Sequence, residues 1–376
     1  MIIQFTLAFV LSSIASLTSA STYPLVKHVH VITSCHLDIG FKDTAAGILN
    51  LYFDHHIPLA VSHGNLIRQG KFPKVFHGDR LNFMFQSWVI SLYLDCPPNM
   101  GLHCPSRANV SATEEAIRKG DITWHAFPHN AQLEIMSQSM IEAGFDLTFR
   151  LDEKFGLQKK RTLSQRDVPG MSRSIIPILK KNNVTAISIG ANGGSTPPAL
   201  PPCFIWRDNK NKEEIYGFFT WPGYGMFPLT GDDKQQRMCI VDGLDHALVY
   251  NWNGDNDGPS GDPTVYEKRW KEISVVFPNA EIIASTFDNF TQHLDGVKDR
   301  LPVVTAEVGD SWVYGVPSDP QKVSRMKIIN RELDLLAARN GGSISNVLKD
   351  DSVLRNATRF ALKVSKTIDN DEITKN

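Results

Sequence analysis

The sequence predicts an α/β fold in which a largely parallel sheet, closed into a barrel or left open, is covered by helices. Three observations predict it. Seven short β-rich apolar runs are spaced along the chain, segments with helical patterning separate most of them, and the chemically versatile polar residues come directly after the runs. The chain has 376 residues, enough for one large domain or two small ones. Its 42% hydrophobic and 21% charged residues are ordinary for a globular protein, and a formal net charge of −1 gives no electrostatic reason to expect nucleic acid or an anionic membrane as partner.

The first twenty residues stand apart. Ile2 to Leu17 carries no charge and runs into Thr18-Ser19-Ala20, small residues of the kind a signal peptidase accepts. Residues 1–20 are therefore expected to be a signal peptide, because the run is short for a bilayer span and has no basic flanks. No later stretch is long and apolar enough for a stable membrane span, so the expected location is secreted or luminal, whether extracellular, lysosomal or another secretory compartment. Four Asn-x-Ser/Thr sequons, at Asn109, Asn183, Asn289 and Asn356, agree with that compartment. So do the five cysteines: Cys96 and Cys104 bracket a Pro-Pro-Asn-Met-Gly loop, and Cys203 with Cys239 is offered as a second pair, leaving Cys35 over.

Strands are expected near Val26–Thr33, Ile122–His125, Thr162–Arg166, Val184–Gly190, Ala247–Asn251, Ala280–Ser285 and Val303–Ala306. Helices are expected over Ser172–Lys181, Pro263–Val275 and Lys322–Arg339, among others. Phe204–Arg207 and Glu214–Phe219, joined by Asp-Asn-Lys-Asn-Lys, read as an inserted hairpin. Residues 21–340 are expected to form one α/β domain, and the polar stretch 341–376 a frayed C-terminal tail.

The candidate site residues stand at the ends of these strands. His36 and Asp38 come just after the first, Asp167 after the third, Asp255 and Asp257 after the fifth, and Glu307 and Asp310 after the last. In parallel sheets the carboxyl ends converge on one face, so these residues are expected to meet. An imidazole and a carboxylate at i and i+2 of an extended segment point the same way. With Asp167 they make a three-ligand N/O set suited to a catalytic zinc with an open position. Asp255, or failing that Asp257, lies in a Gly/Asn/Asp turn from which a general acid could face a nucleophilic carboxylate, as retaining glycosidases require.

Those residues carry a resemblance. Val-His-Val-Ile-Thr-Ser-Cys-His36-Leu37-Asp38-Ile39-Gly40-Phe41 resembles the opening motif of glycoside hydrolase family 38, the α-mannosidases, in which a strand runs into His-Asn-Asp, then a Gly and an aromatic. Arg166-Asp167-Val168-Pro169-Gly170 is similar to that family's Asp-Pro-Phe-Gly-His motif, Gly120-Asp121-Ile122-Thr123-Trp124 to its Gly-x-Trp strand, and Glu307 to Trp312 to the end of its catalytic part. Leu37, Phe41 and Met171 depart from the usual Asn, Trp and His. The resemblance implies a seven-stranded (β/α) barrel-like domain of glycoside hydrolase/deacetylase type. It implies zinc (Zn2+) on His36, Asp38 and Asp167, Asp167 also as nucleophile, and an acid near Asp255. It also implies a glycan or oligosaccharide substrate, with Phe41 as the floor of the sugar site and Trp124, His125, His129, Asn130 and Trp312 as candidate contacts. The last histidine is His293 and the chain stops at Asn376, so the family's downstream fourth zinc ligand has no counterpart; the expectation is a truncated, weakly active or inactive chain. Two other functions compete. One is a non-catalytic glycan-binding or degenerate relative. The other is a polysaccharide deacetylase, suggested by His125-x-x-x-His129 and Thr286-Phe287-Asp288-Asn289.

Overall fold

A computed structural model describes residues 23–73, 80–229, 237–309 and 311–364. The expected signal peptide, residues 1–20, Asp310 and the last twelve residues of the expected tail lie outside the described residues. In chain order the strands are β1 (His28–His36), β2 (Phe83–Met84), β3 (Ile122–Thr123), β4 (Thr162–Asp167), β5 (Ala186–Ala191), β6 (Cys203–Asp208), β7 (Glu213–Thr220), β8 (Met238–Cys239), β9 (His246–Asp255), β10 (Glu281–Ala284) and β11 (Val303–Val304). The helices are α1 (Ala45–Leu51), α2 (Ile57–Arg68), α3 (Ser87–Leu94), α4 (Arg107–Lys119), α5 (Gln138–Lys154), α6 (Ile175–Lys181), α7 (Thr264–Val276), α8 (Phe287–Thr291), α9 (Pro320–Arg339), α10 (Ile344–Asp350) and α11 (Ser352–Lys363).

Strand β1 is the axis of the first sheet. Its Val and Ile residues favour a pleated chain, and every residue after His28 is buried, as in a strand covered on both faces. β9 pairs with it along nearly its whole length, β10 with its first half and β2 with Thr33 and Ser34, all parallel. β3 extends the sheet beyond β2, and β8 ends the other side antiparallel to β9. The second sheet has the order β11-β6-β7-β5-β4. β4, β5 and β7 are parallel, and the β6–β7 hairpin is antiparallel.

The expected seven-stranded barrel is corrected by this arrangement: among the described residues the strands fall into two sheets, and neither closes. β3 has only two ladder residues, and the chain leaves it toward β4 with the backbone bond from Ala126 N to Thr162 O, 2.8 Å. On the other side, Trp252 N reaches Gly225 O at 3.3 Å across the loop after β7. So short a strand cannot carry a continuous ladder round the circle. The hairpin is likewise no insertion, because β7 pairs with β5 and β6 with β11 inside the second sheet.

The two sheets share a core that includes Ile32, Ala186, Ile205, Phe218, Tyr250 and Phe287. Helices cover the second sheet through Phe145 of α5 and through Met326, Leu333 and Ala337 of α9, spaced by seven and four along one helix face. The start and stop chemistry is local. Ser106 and Ser137 accept from the backbone N–H three residues on, opening α4 and α5, and Gly120 at φ 78° closes α4 in the left-handed conformation. Beyond Gly341 the expected frayed tail is corrected over residues 344–363. Those residues form α10 and α11, which bury Ile344, Leu348 and Leu362 against the same core. Their buried apolar residues are few, with Ile344 and Leu348 one turn apart on α10, while Val353 of α11 is exposed, and composition alone does not reveal the packing. Among the described residues, no helix is long and apolar enough to cross a membrane.

Candidate active site

His36 ends β1 and Asp255 ends β9, and the parallel pairing of those two strands delivers both to one carboxyl edge, where Asp167 at the end of β4 in the second sheet meets them. A bulge refines the placement. Cys35 faces Asn253, but His36 faces Asp255, so Gly254 is the extra residue and Asp255 is turned opposite His36. His36 Nε2 lies 2.8 Å from Asp38 Oδ1 and 3.7 Å from Asp167 Oδ2. One ligand atom from each of His36, Asp38 and Asp167 lies within 4.8 Å of the others, as a shared ion requires. Their side chains are 2%, 14% and 17% exposed, so the cluster opens to solvent through its carboxylates.

The surrounding groups hold these side chains in place. Asn130 Nδ2 donates to His36 Nδ1 at 2.8 Å, and its oxygen accepts Arg166 N at 2.9 Å. Asp167 sits at φ 79°, an uncommon conformation for a residue with a Cβ, and its Oδ1 accepts from Tyr224 OH at 2.6 Å and Asn192 Nδ2 at 2.8 Å. Burial and the neighbouring Asp167 carboxylate push the Tyr224 phenol far above its ordinary value, so it remains a donor. Asn256 receives Asp38 N at 3.0 Å and donates back to Asp38 O at 3.1 Å, pinning the turn that carries Asp38.

Arg166, beside the nucleophile candidate, is fully buried, with its guanidinium 4.1 Å from the centroid of the Trp252 ring. Burial lifts Asp255 above the usual carboxylate range against the pull of His36, and Asp38 adds to the rise. Its Oδ1 is buried without a hydrogen bond, and its Oδ2 is 3.9 Å from Lys42 Nζ. Three carboxylates around one imidazole and one lysine leave an excess of negative charge. With an imidazole nitrogen and two carboxylate oxygens converging, the donor set fits zinc.

Not every expected contact belongs to the site. Trp124 is 1% exposed, packs on Phe155 and donates from Nε1 to Asp152 at 2.9 Å, so it is a core residue. His125 is buried with Nε2 on Gln86 at 2.7 Å, while its Nδ1 accepts the backbone N–H of Phe127 and Ser164. His129, 1% exposed, holds the Asn130 carbonyl at 2.7 Å and lies between Trp88 and Phe127. Beyond the short β3 the chain turns inward, which puts these side chains in the interior. Asp288 is spent on Thr162 and the Arg161 backbone, so the deacetylase pattern does not assemble. Asn130 orients His36 and is buried. Phe41, 42% exposed, stands three residues past Asp38. Trp312 is half-buried and donates to Ser195 in the loop after β5 at 2.9 Å. Asp257 is exposed, and Glu307 is taken up by Arg173.

Tyr224, Asn192 and Asn256 are site residues that the sequence motifs do not single out. The rule applied to the aspartates finds the first two, since both lie in Gly-rich loops directly after β5 and β7. The expected cysteine pairs are disulfides, Cys96–Cys104 and Cys203–Cys239, with Cα atoms 5.7 Å and 5.6 Å apart. Cys35 takes part in neither, and its Sγ lies 3.3 Å from Tyr52 OH. The four sequon asparagines are all exposed.

No protein-family model matches the sequence, and no curated protein matches it. Among solved structures, an alpha-mannosidase from Enterococcus faecalis V583 aligns over 93% of this chain with 17% identity and a TM-score of 0.54, and the chain spans 42% of that protein's length. A protein in the glycosyl hydrolase family 38 from Enterococcus faecalis aligns over 93% of the chain and 40% of its own length with 17% identity, at a TM-score of 0.47. A 4-alpha-glucanotransferase from Thermococcus litoralis aligns over 84% of the chain and 47% of its own length with 11% identity, at a TM-score of 0.45. The first of these shows a shared α/β fold.

Proposed function

We propose that this chain is a zinc-dependent glycosidase of the α-mannosidase type, acting on glycans with retention of configuration. The observation that carries the reading is the convergence of His36, Asp38 and Asp167 at the carboxyl edge of a fold shared with an α-mannosidase, with Asp255 turned opposite His36. Zinc held by His36, Asp38 and Asp167 would supply a Lewis acid for sugar hydroxyls. Asp167 attacks the anomeric carbon as the glycosidic C–O bond breaks, and Tyr224 and Asn192 keep its carboxylate in one orientation. Asp255 gives its proton to the leaving oxygen, with Asp257 as the second candidate for that role. In the second step Asp255 takes a proton from water, which displaces Asp167 and releases the sugar. Phe41 and Trp312 are the aromatic surfaces offered to a sugar ring.

The test is turnover of aryl α-mannosides by the purified chain, with and without chelator. Chelator-sensitive release of the aryl group, abolished by Asp167→Ala, is expected; turnover that persists in Asp167→Ala overturns the assignment. One observation favours a second reading, a glycan-binding relative without turnover. Because the Asn130 amide donates to Nδ1, the proton of neutral His36 sits on Nε2, the atom that faces both carboxylates. Sugar binding with no turnover on any aryl glycoside would select that reading.

A secretory compartment completes the proposal. It is supported by two disulfides and four exposed sequon asparagines. Mass spectrometry of protein expressed through a secretory pathway should find a chain beginning near Ser21 and bearing N-glycans. Unmodified asparagines at all four sequons would remove the compartment assignment.

A further inference from the structure

The same strands that carry the candidate active site at their carboxyl edge gather a second set of histidines at their amino edge. His28 and His30 lie on one face of β1, and His246 opens β9, in register with His28. His293 comes after α8 and returns to the same place. Its ring stacks on that of His246, with centroids 3.6 Å apart and planes within 12°. His30 Nε2 faces His246 Nδ1 at 2.9 Å, and one nitrogen from each of His30, His246 and His293 lies within 4.8 Å of the others.

The chemistry of this group is that of a ligand set. Ser285 Oγ lies 2.8 Å from His30 Nδ1 and can accept its proton, which leaves the Nε2 lone pair facing His246. On the far side of His246, Asp245 Oδ1 stands 3.6 Å from Nε2 and favours a proton there, which frees Nδ1 in turn. Neutral imidazole is the form that binds metals. Two nitrogens on one tetrahedral ion with bonds of about 2.0–2.1 Å are roughly 3.3 Å apart, so His30 and His246 need separate by only a few tenths of an ångström. The half-buried His293, by contrast, must rotate out of its stack on His246, because an ion lies in the plane of each imidazole that binds it.

We propose that His30, His246 and His293 form a second metal site for a borderline divalent cation such as zinc, independent of His36, Asp38 and Asp167. Imidazole donors suit zinc, copper and nickel, whereas calcium and magnesium prefer oxygen. The three ligands come from β1, β9 and the segment after α8, so the ion clamps that segment to the centre of the first sheet. Its role is structural and does not depend on the glycosidase reading.

The test uses the full chain carrying His36→Ala and Asp38→Ala, which silences the first cluster. Equilibrium dialysis against Zn2+ should find one bound equivalent, and adding His293→Asn should weaken its binding at least ten-fold. His293 is half-buried, so that variant is expected to keep the melting temperature of its parent in chelator. His246→Asn serves as the second variant. With Cu2+ as probe, nitrogen hyperfine structure from three imidazoles should fall to two in His293→Asn. No bound equivalent in the parent, or unchanged affinity in both histidine variants, would overturn the site. Loss of glycosidase turnover has no bearing on these readouts.

Discussion

The Asn130 amide bridges the site to its scaffold: its nitrogen donates to His36 Nδ1 at 2.8 Å, while its oxygen accepts the backbone N–H of Arg166 at 2.9 Å. The second bond fixes which way the amide points, and the first then fixes the His36 tautomer. A metal on Nε2 needs the opposite tautomer, with Nδ1 as donor. Asn130→Asp supplies an acceptor to both neighbours, and should tighten zinc binding at the first cluster by about ten-fold. Competition against a fluorescent chelator measures it. Unchanged or weaker binding would mean that His36 does not use Nε2 as a ligand.

Tyr224 tests how Asp167 is held. Tyr224→Phe removes one of two donors to Asp167 Oδ1 and leaves Asn192 in place. Hydrogen bonds to a charged group contribute about 1.5–3 kcal/mol, so kcat should fall roughly ten- to a hundred-fold. KM should change little, because the bond restrains the nucleophile rather than the sugar. A rise in KM at constant kcat would instead place the Tyr224 ring against substrate.

Asp255 separates the acid from the nucleophile. Asp255→Asn should slow substrates with poor leaving groups far more than activated aryl glycosides, which depart without a proton. Comparing a nitrophenyl glycoside with a disaccharide reads the difference. Equal loss on both would transfer the acid role elsewhere, Asp257 being the first position to try.

The buried histidines set the response of stability to acid. His63 lies 2% exposed between the rings of Phe72 and Tyr266, and burial holds it down to about 4. Its folded value is below the unfolded one of about 6.5, so the unfolded chain takes up the proton first. Its contribution is complete above about pH 6.5 and is lost as pH falls toward 4. At pH 5 the loss from this one group is about 2 kcal/mol. His63→Leu should therefore unfold with a correspondingly weaker dependence on pH between 7.5 and 5, as urea melts would show. His30 and His125, both held to about 3, act over the same range and remain in the variant. An identical pH dependence in His63→Leu would contradict the assignment.

Much of this molecule is written in local sequence. The runs that form β1, β5 and β9 carry Val, Ile or aromatic residues, whereas β4 reads Thr-Leu-Ser-Gln-Arg-Asp, and His36, Asp167 and Asp255 close β1, β4 and β9. Because parallel strands share a direction, residues at their carboxyl ends meet whatever their separation along the chain, and that makes the cluster legible. The Cys96–Cys104 pair, which brackets a short loop, and α9 are legible from spacing, whereas no spacing fixes Cys203–Cys239, 36 residues apart.

What only the tertiary structure decided are the properties set by register and by which face a side chain takes. A single extra residue in β9 turns Asp255 toward His36, and no composition reveals it. β3 is two residues long, so the sheets stay open and Trp124, His125 and His129 turn into the core instead of toward a sugar. Sparse apolar residues after Gly341 count for little as composition, yet Ile344, Leu348 and Leu362 are buried against the core. The histidines of the proposed second site lie up to 263 residues apart, His30 to His293, and only the fold, with β1 paired to β9 and β10, brings their nitrogens within 4.8 Å of one another. Local sequence determines which chemistry is carried at each strand end, whereas the fold decides which ends share a space.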